Sequence, residues 1–152
     1  MTTTLNIDDI AARLKVKFGK GITPAAGWLE VTATLLPKVA DYLKNNAELD
    51  LDFLDMVTAV DYPDRFELVY RLLSTKNNSL VALKVKCDKA KPVVPSLANL
   101  WRGASLQERE TYDLLGIEFS GHPDLRRIVL WEGYQGHPLR KDFKDRVYGA
   151  GN

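Results

Sequence analysis

Between Phe53 and Cys87 the chain reads "FLDMVTAVDY", "FELVYRLLS" and "SLVALKVKC", three runs rich in β-branched and aromatic residues and separated by only "PDR" and "TKNN". Connections this short can join strands only in antiparallel fashion, because a parallel return needs a crossover of about a dozen residues or more. The centre of the fold is therefore predicted to be an antiparallel meander. In the third run Val81, Leu83, Val85 and Cys87 alternate with Lys84 and Lys86, so one face meets a core and the other meets water. Cys87 is thus a core residue. As the sole cysteine it has no partner for an internal disulfide, and the chain alone has too few thiols for an iron–sulfur cluster or a cysteine-rich zinc site.

The flanks add helices. Ile7, Ile10, Ala11, Leu14 and Phe18 recur at helical spacing, with Asn6 placed to cap the first turn and Asp8 and Asp9 near its positive end. "GKG" ends that helix. "WLEVTA" alternates as a strand, and "LLPKVADYLKNN" predicts a second helix with Pro37 near its start and Asn45-Asn46 at its end. After the meander, "KAKPVVPS" is a proline-broken link, and Ser96 can cap a short helical turn through Trp101. Ser105 and Glu108 form the pattern of a capping box, predicting a helix that ends at about Leu115 with Gly116 as its left-handed stop. "RRIVLW" is a strand candidate. The pattern predicts an α+β fold, a single domain over residues 1–130 with a mostly antiparallel or mixed sheet and helices on one face. An extended C-terminal tail, 131–152, follows; rich in Gly, Pro and charge, it would scarcely hold a shape alone and is expected to dock on a partner.

The 152 residues suffice for a hydrophobic core, and a net charge of +1 provides no global field for nucleic acid or lipid. Arg126, Arg127, Arg140, Lys141, Lys144 and Arg146 make the last third locally basic, but Asp124, Asp142 and Asp145 interleave, which argues against nucleic-acid binding. The start, "MTTTLNIDDI", lacks the features of a secretory signal, and no segment approaches the ~20 apolar residues of a membrane span. A reducing, cytoplasmic setting is expected, with any membrane contact indirect. No glycine-rich phosphate loop and no nucleophile elbow is present.

Functional side chains concentrate in "QERETYDLLGIEFSGHPDLRRI". On the predicted helix Arg109 and Asp113 stand four apart and Glu110 and Asp113 three apart, so they can pair or converge. Converging carboxylates suit a metal or acid–base work, whereas a solvated, ion-paired face requires neither. The two histidines, His122 and His137, each precede a proline and fit turns better than a ligand set, since their spacing matches no metal template.

The ordered series "ERETYDLLGIEFSGHPDLRRIVL" and "GHPLRKDF" resembles the signature of the C subunit of NADH:quinone oxidoreductase, respiratory complex I; "DMVTAVDYPDRFELVYRLLS" and "VVPSLANLWRGAS" resemble the strands and linker that precede it. The resemblance implies a cofactor-free, non-catalytic subunit of a proton-translocating oxidoreductase. It would lie in the peripheral arm on the cytoplasmic side of the cell membrane. Its neighbours would be the large quinone-site subunit and the small iron–sulfur subunit, with iron–sulfur clusters, FMN, NADH and quinone all held by partners. Family-motif and docking residues carry over as Glu108, Arg109, Glu110, Asp113, Gly116, Gly121, His122, Pro123, Arg126, Arg127, Gly136, Pro138, Arg140, Lys141 and Asp142. Leu106 stands where the family often has Trp, and with the sequence running only a little past "GHPLRKDF", neither the long C-terminal extension of some relatives nor a fusion to the large subunit is expected. Two other readings remain open: the equivalent subunit of a membrane-bound hydrogenase or ferredoxin-linked dehydrogenase, and a freestanding metal-dependent hydrolase using the two histidines and the carboxylates.

Overall fold

The computed structural model describes residues 1–145. In chain order the elements are β1 (Thr3–Thr4), α1 (Ile7–Phe18), β2 (Ile22–Ala25), β3 (Trp28–Val31), α2 (Leu36–Asn45), β4 (Phe53–Asp61), β5 (Arg65–Ser74), β6 (Ser79–Asp88), β7 (Val93–Pro95), α3 (Arg102–Leu115) and β8 (Glu118–Ser120). The meander is present: β4, β5 and β6 pair antiparallel in sequence order. β6 continues the sheet through a parallel pairing with β3, which forms a hairpin with β2; β1 also lies parallel to β6. The sheet is thus mixed, in the order β2-β3-β6-β5-β4, and a small parallel pair, β7-β8, stands apart from it.

Strand alternation produces the core. The cross-strand pairs Phe66/Cys87, Leu68/Val85, Tyr70/Leu83 and Leu72/Val81 are buried on one face. They join Leu14 of α1, Val39 and Leu43 of α2, and Ala104 and Leu115 of α3 in one cluster. Each large apolar side chain so buried contributes about 1.5–3 kcal/mol. On the opposite face ion pairs replace packing: Lys84 reaches Glu67 at 3.1 Å and Lys86 reaches Glu30 at 3.1 Å.

The helix boundaries follow from local chemistry. Asn6 caps α1, accepting from the N–H groups of Asp8 at 3.1 Å and Asp9 at 3.2 Å, an arrangement typically worth about 1 kcal/mol. Pro37 sits in the first turn of α2, where its missing N–H leaves no bond unmade. Ser96 caps its turn as expected, accepting from the Ala98 N–H at 3.1 Å.

Three expectations are corrected. The capping box does not form: α3 begins at Arg102 with Trp101 at the cap and no capping side chain, so Ser105 lies inside the helix and Glu108 is free to bond elsewhere. "RRIVLW" is not a strand, because its N–H groups are claimed by a side chain described below. "WLEVTA" is a strand only to Val31; a 3-10 turn, Ala33–Leu35, leads into α2.

α3 returns along β4, the strand at the edge of the sheet, and this places the charged segment. Within the tail the chain is described to Asp145, without regular secondary structure from Trp131 onward; Arg146 and the rest of the predicted tail lie outside the described residues.

Candidate functional site

α3 presents its polar side chains to three different neighbours. Glu108 and Asp113 are both fully buried, but five residues of α-helix turn them about 140° apart, so they do not converge. Glu110 is exposed and takes part in no ion pair among the described residues. Arg109 does not pair with Asp113, contrary to the i,i+4 expectation. Its Nε donates to the Arg126 carbonyl and its Nη2 to the Arg127 carbonyl, both at 3.1 Å.

Asp113 organises the loop that follows β8. Its Oδ2 accepts the backbone N–H groups of Ile128 at 3.0 Å, Val129 at 2.8 Å and Leu130 at 2.9 Å, while Oδ1 accepts Arg127 Nη1 at 2.6 Å. Burial alone pushes this carboxyl up, but the Leu130 N–H, the Arg127 guanidinium and the Ile128 and Val129 N–H groups together hold it below the usual carboxylate range. Arg127 then links loop to tail: Nη1 also donates to the Asp113 carbonyl at 3.0 Å, and Nη2 donates to the carbonyls of Tyr134 at 2.9 Å and Gly136 at 2.8 Å. Arg126, by contrast, is exposed and among the described residues pairs only with Asp124, at 2.9 Å.

Glu108 serves the other end of the helix. It accepts Ser96 Oγ at 2.5 Å and the Leu97 N–H at 2.7 Å, fastening the loop between β7 and α3. Burial outweighs these bonds and the nearby His122, so its carboxyl is held above the usual range. His122 lies in the turn made with Gly121 and the exposed Pro123, and its ring is fully buried. Nδ1 accepts the Asp124 N–H at 2.9 Å, so the proton is on Nε2, which donates to the Ser105 carbonyl at 3.0 Å and stands 3.9 Å from Glu108. Ser105 Oγ approaches the same nitrogen at 3.3 Å. A nucleophilic triad would need a carboxylate on Nδ1, where this histidine meets a backbone N–H.

The tail returns to the far end of α3. His137 Nδ1 donates to the Asp113 carbonyl at 2.9 Å, and the Leu139 N–H donates to the Leu114 carbonyl at 3.0 Å. Gly116 makes this approach possible: its φ of +74° ends the helix, and a Cβ there would stand 2.6 Å from the His137 ring. Pro138 is half-buried at this contact. Gly136 lies under the Phe143 ring, 2.9 Å from where its Cβ would be. Further on, the Lys141 N–H donates to Asp61 Oδ2 at 2.8 Å, and Arg140 lies over the Phe66 ring at 5.1 Å and pairs with the exposed Asp142 at 3.3 Å.

Asp61 and Lys89 are partners that the sequence reading missed, and Ser96 was read only as a cap, not as a partner of Glu108. Asp61 ends β4 on its inward face, opposite Phe66, and a carboxylate at such a position requires a buried counter-charge; that alternation was the available signal. Lys89 supplies the charge at 2.5 Å. Burial pushes the Asp61 carboxyl up, and Lys89, the Lys141 N–H and Arg140 bring it down below the usual range.

This arrangement binds the chain to itself. The two histidines attach to carbonyls of Ser105 and Asp113, eight residues and thus about 12 Å apart along the helix axis. Among the described residues no group of three His, Cys, Asp or Glu side chains could hold a metal ion. Also among them, no helix is long and apolar enough to cross a membrane. Among the groups the segment leaves outward are four large apolar side chains: Ile128 is 41%, Val129 58%, Trp131 60% and Leu139 60% exposed.

Residues 29–148 match the family described as "Respiratory-chain NADH dehydrogenase, 30 Kd subunit". The C subunit of an NADH-quinone oxidoreductase of Roseiflexus sp. (strain RS-1) is 50% identical over 107 residues, which cover 68% of this chain and 62% of that one. A probable mitochondrial NADH-ubiquinone oxidoreductase 30.4 kDa subunit of Candida maltosa is 46% identical over 121 residues, 78% of this chain and 44% of the relative. The chain therefore spans about half the length of such relatives. Among solved structures, one described as "Nqo5 of the trypsin-resistant fragment (1-134) in P63 form" superposes with a TM-score of 0.62 at 28% identity, covering 80% of this chain and all of that one. A chain of an archaeal membrane-bound sulfane sulfur reductase complex shares the fold, with a TM-score of 0.68 at 22% identity over 90% of this chain and 85% of that one. The sequence match and the shared fold agree: the chain belongs to the 30 Kd subunit family of respiratory-chain NADH dehydrogenase.

Proposed function

We propose that the protein is a non-catalytic, cofactor-free subunit of the peripheral arm of proton-translocating NADH:quinone oxidoreductase. In this reading it holds the large quinone-site subunit beside the small iron–sulfur subunit that bears the terminal cluster. FMN, NADH, quinone and the iron–sulfur clusters reside in partner subunits, and the protein sits on the cytoplasmic side of the membrane, touching it only through the complex. The observation that supports this most is Asp113. It is the motif's most heavily bonded acid, both of its oxygens are taken by its own chain, and the loop it holds turns Ile128 and Val129 outward. A side chain so engaged shapes a surface and does not react. Buried charges of this kind contribute little net stability, but they set register and penalise wrong partners.

The test is isolation of the tagged full chain from its native membranes, with mass spectrometry of its partners and an NADH:quinone assay. Recovery of the large quinone-site subunit with NADH-oxidising subunits is the expected result. Hydrogenase or ferredoxin-linked subunits in their place would move the protein to the equivalent position in a related machine, a reading that the fold shared with the sulfane sulfur reductase chain keeps in view. Recovery of neither would overturn the proposal.

A further inference from the structure

Where α1 ends it meets α2, and the two helices leave a cleft of about 480 Å³ between them. Its floor is aromatic. The half-buried Phe18 and Tyr42 rings meet edge to face with centroids 6.1 Å apart, and Lys17 Nζ stands 5.3 Å from the Tyr42 centroid and 5.8 Å from that of Phe18. On the other wall Lys38, Asp41, Tyr42 and Asn45 follow at i, i+3, i+4 and i+7, a single stripe of α2 turned to the cleft.

The charge here is unbalanced. Lys84, Lys86 and Lys89 each reach a carboxylate, and Arg13 of α1 reaches Glu48. Among the described residues the exposed Lys15, Lys17, Lys20 and Lys38 reach none. Asp41, the one acid lining the cleft, instead accepts from Asn45 Nδ2 at 2.9 Å. Residues 146–152, "RVYGAGN", contribute no acidic side chain. The helix dipole accounts for Lys15 and Lys17 in the last turn of α1, but not for Lys38, which stands in the first turn of α2, toward the positive pole, where a cation is unfavourable. A residue that opposes its own helix without an internal counter-ion marks a group kept for something outside the chain. α1 also precedes residues 29–148, so one wall of the cleft lies outside the family match.

The chemistry that completes such a cleft is a carboxylate with an apolar neighbour, and both must project from a protein segment to enter it. A lipid surface is flat and needs apolar side chains to carry the site into it; Val16 is the one large apolar side chain exposed on either helix. Nucleic-acid bases need a free aromatic face, and here the two rings pack on each other and under Lys17.

We infer that the cleft between α1 and α2 binds an acidic segment of another protein, which seats a carboxylate between Lys17 and Lys38 and packs an apolar neighbour on Phe18 and Tyr42. Lys15 and Lys20 attract the segment from beside the cleft. No residue of the Glu108 or Asp113 clusters takes part, so the inference is independent of which complex the protein joins.

The test places the photoreactive residue p-benzoylphenylalanine at the exposed Ala47, which lines the cleft, in the tagged full chain, and irradiates native membranes. Mass spectrometry then reads the sequence of the crosslinked peptide. Expected is a peptide of another protein carrying Asp or Glu beside an apolar residue, with a yield that falls about tenfold in the Lys17→Glu/Lys38→Glu background, the factor equivalent to 1.4 kcal/mol. Reversing that peptide's acid to lysine should restore the yield. Lys76→Glu/Lys91→Glu, the same change in charge on exposed lysines elsewhere, should keep the yield within about twofold. Lys38→Glu alone should lower the yield without lowering the urea midpoint, because an acid suits the first turn of α2. A crosslinked peptide without an acidic side chain would overturn the inference. So would adducts to phospholipid or nucleic acid only, no adduct at all, a yield unmoved by the double reversal, or an equal loss in the Lys76→Glu/Lys91→Glu chain.

Discussion

Replacing Asp113 by alanine removes four hydrogen bonds at once, three from backbone N–H groups and one from Arg127. The guanidinium left behind is only 19% exposed, so its lost partner is not replaced fully by water. Breaking a buried, hydrogen-bonded charge pair costs about 3–5 kcal/mol, a large share of the 5–15 kcal/mol that holds a typical domain together. The loss is local, because every bond involved lies among α3, residues 127–130 and, through Arg127, Tyr134 and Gly136. The core of the sheet is untouched. Hydrogen exchange should therefore report it as a local opening: amides of 127–136 lose roughly two to four orders of magnitude of protection, the factor that 3–5 kcal/mol implies, while β5 and β6 keep theirs. Protection of 127–136 within threefold of the wild type would show that Asp113 does not hold the loop. Acid should mimic the substitution. A carboxyl whose folded value is depressed contributes stability that is present above its unfolded value, about pH 3.9, and lost as pH falls through the folded one.

Glu108 has the opposite sign. Its raised folded value means that its contribution is favourable below about pH 4.3 and is lost as pH rises through the folded value, so the ionised group costs stability at neutral pH. Urea midpoints of Glu108→Gln should accordingly match or exceed the wild type at pH 7, and the wild-type gain on acidification toward pH 4 should shrink; a large loss at pH 7 would refute this. Gly116→Ala places a methyl against the His137 ring at a left-handed position, and equilibrium unfolding should record a loss of about 1–3 kcal/mol; an unchanged midpoint would contradict it. Asp61→Ala should release 137–143 by tenfold or more in exchange rate, an order of magnitude expected for a bond to a charged group. Lys141→Ala should leave the same amides alone, since Lys141 is held through its backbone N–H.

What could be read from the sequence follows a physical pattern. Strands 53–61, 65–74 and 79–88 were legible because alternation and short turns are local signals, and α1 because Asn6 and the apolar spacing agree. β2 and β7-β8 were not, being three or four residues long and dependent on partners distant in sequence. The charged segment misled where a local rule met a longer-range competitor. Ser105 and Glu108 fit a capping box, but Ser96 and Leu97 took the Glu108 carboxylate; Arg109 and Asp113 fit an i,i+4 pair, but Arg127 offered a bond out of water. "RRIVLW" has the composition of a strand, yet three successive N–H groups turned onto one oxygen of Asp113 cannot extend as one. The sequence offered the motif residues only as one undivided set; their division into internal braces such as Arg127 and exposed ones such as Arg126 needed the fold.

If Asp113 and Arg127 shape a surface and do not catalyse, their loss must act on assembly and not on turnover. The most direct measurement compares wild type, Asp113→Ala and Arg127→Ala in their native membranes, scoring the assembled fraction of NADH:quinone oxidoreductase and its turnover per assembled complex. Assembly should fall while turnover in the complexes that do form stays near the wild-type value. Full assembly with abolished turnover would contradict the scaffolding role and would make the segment part of the chemistry.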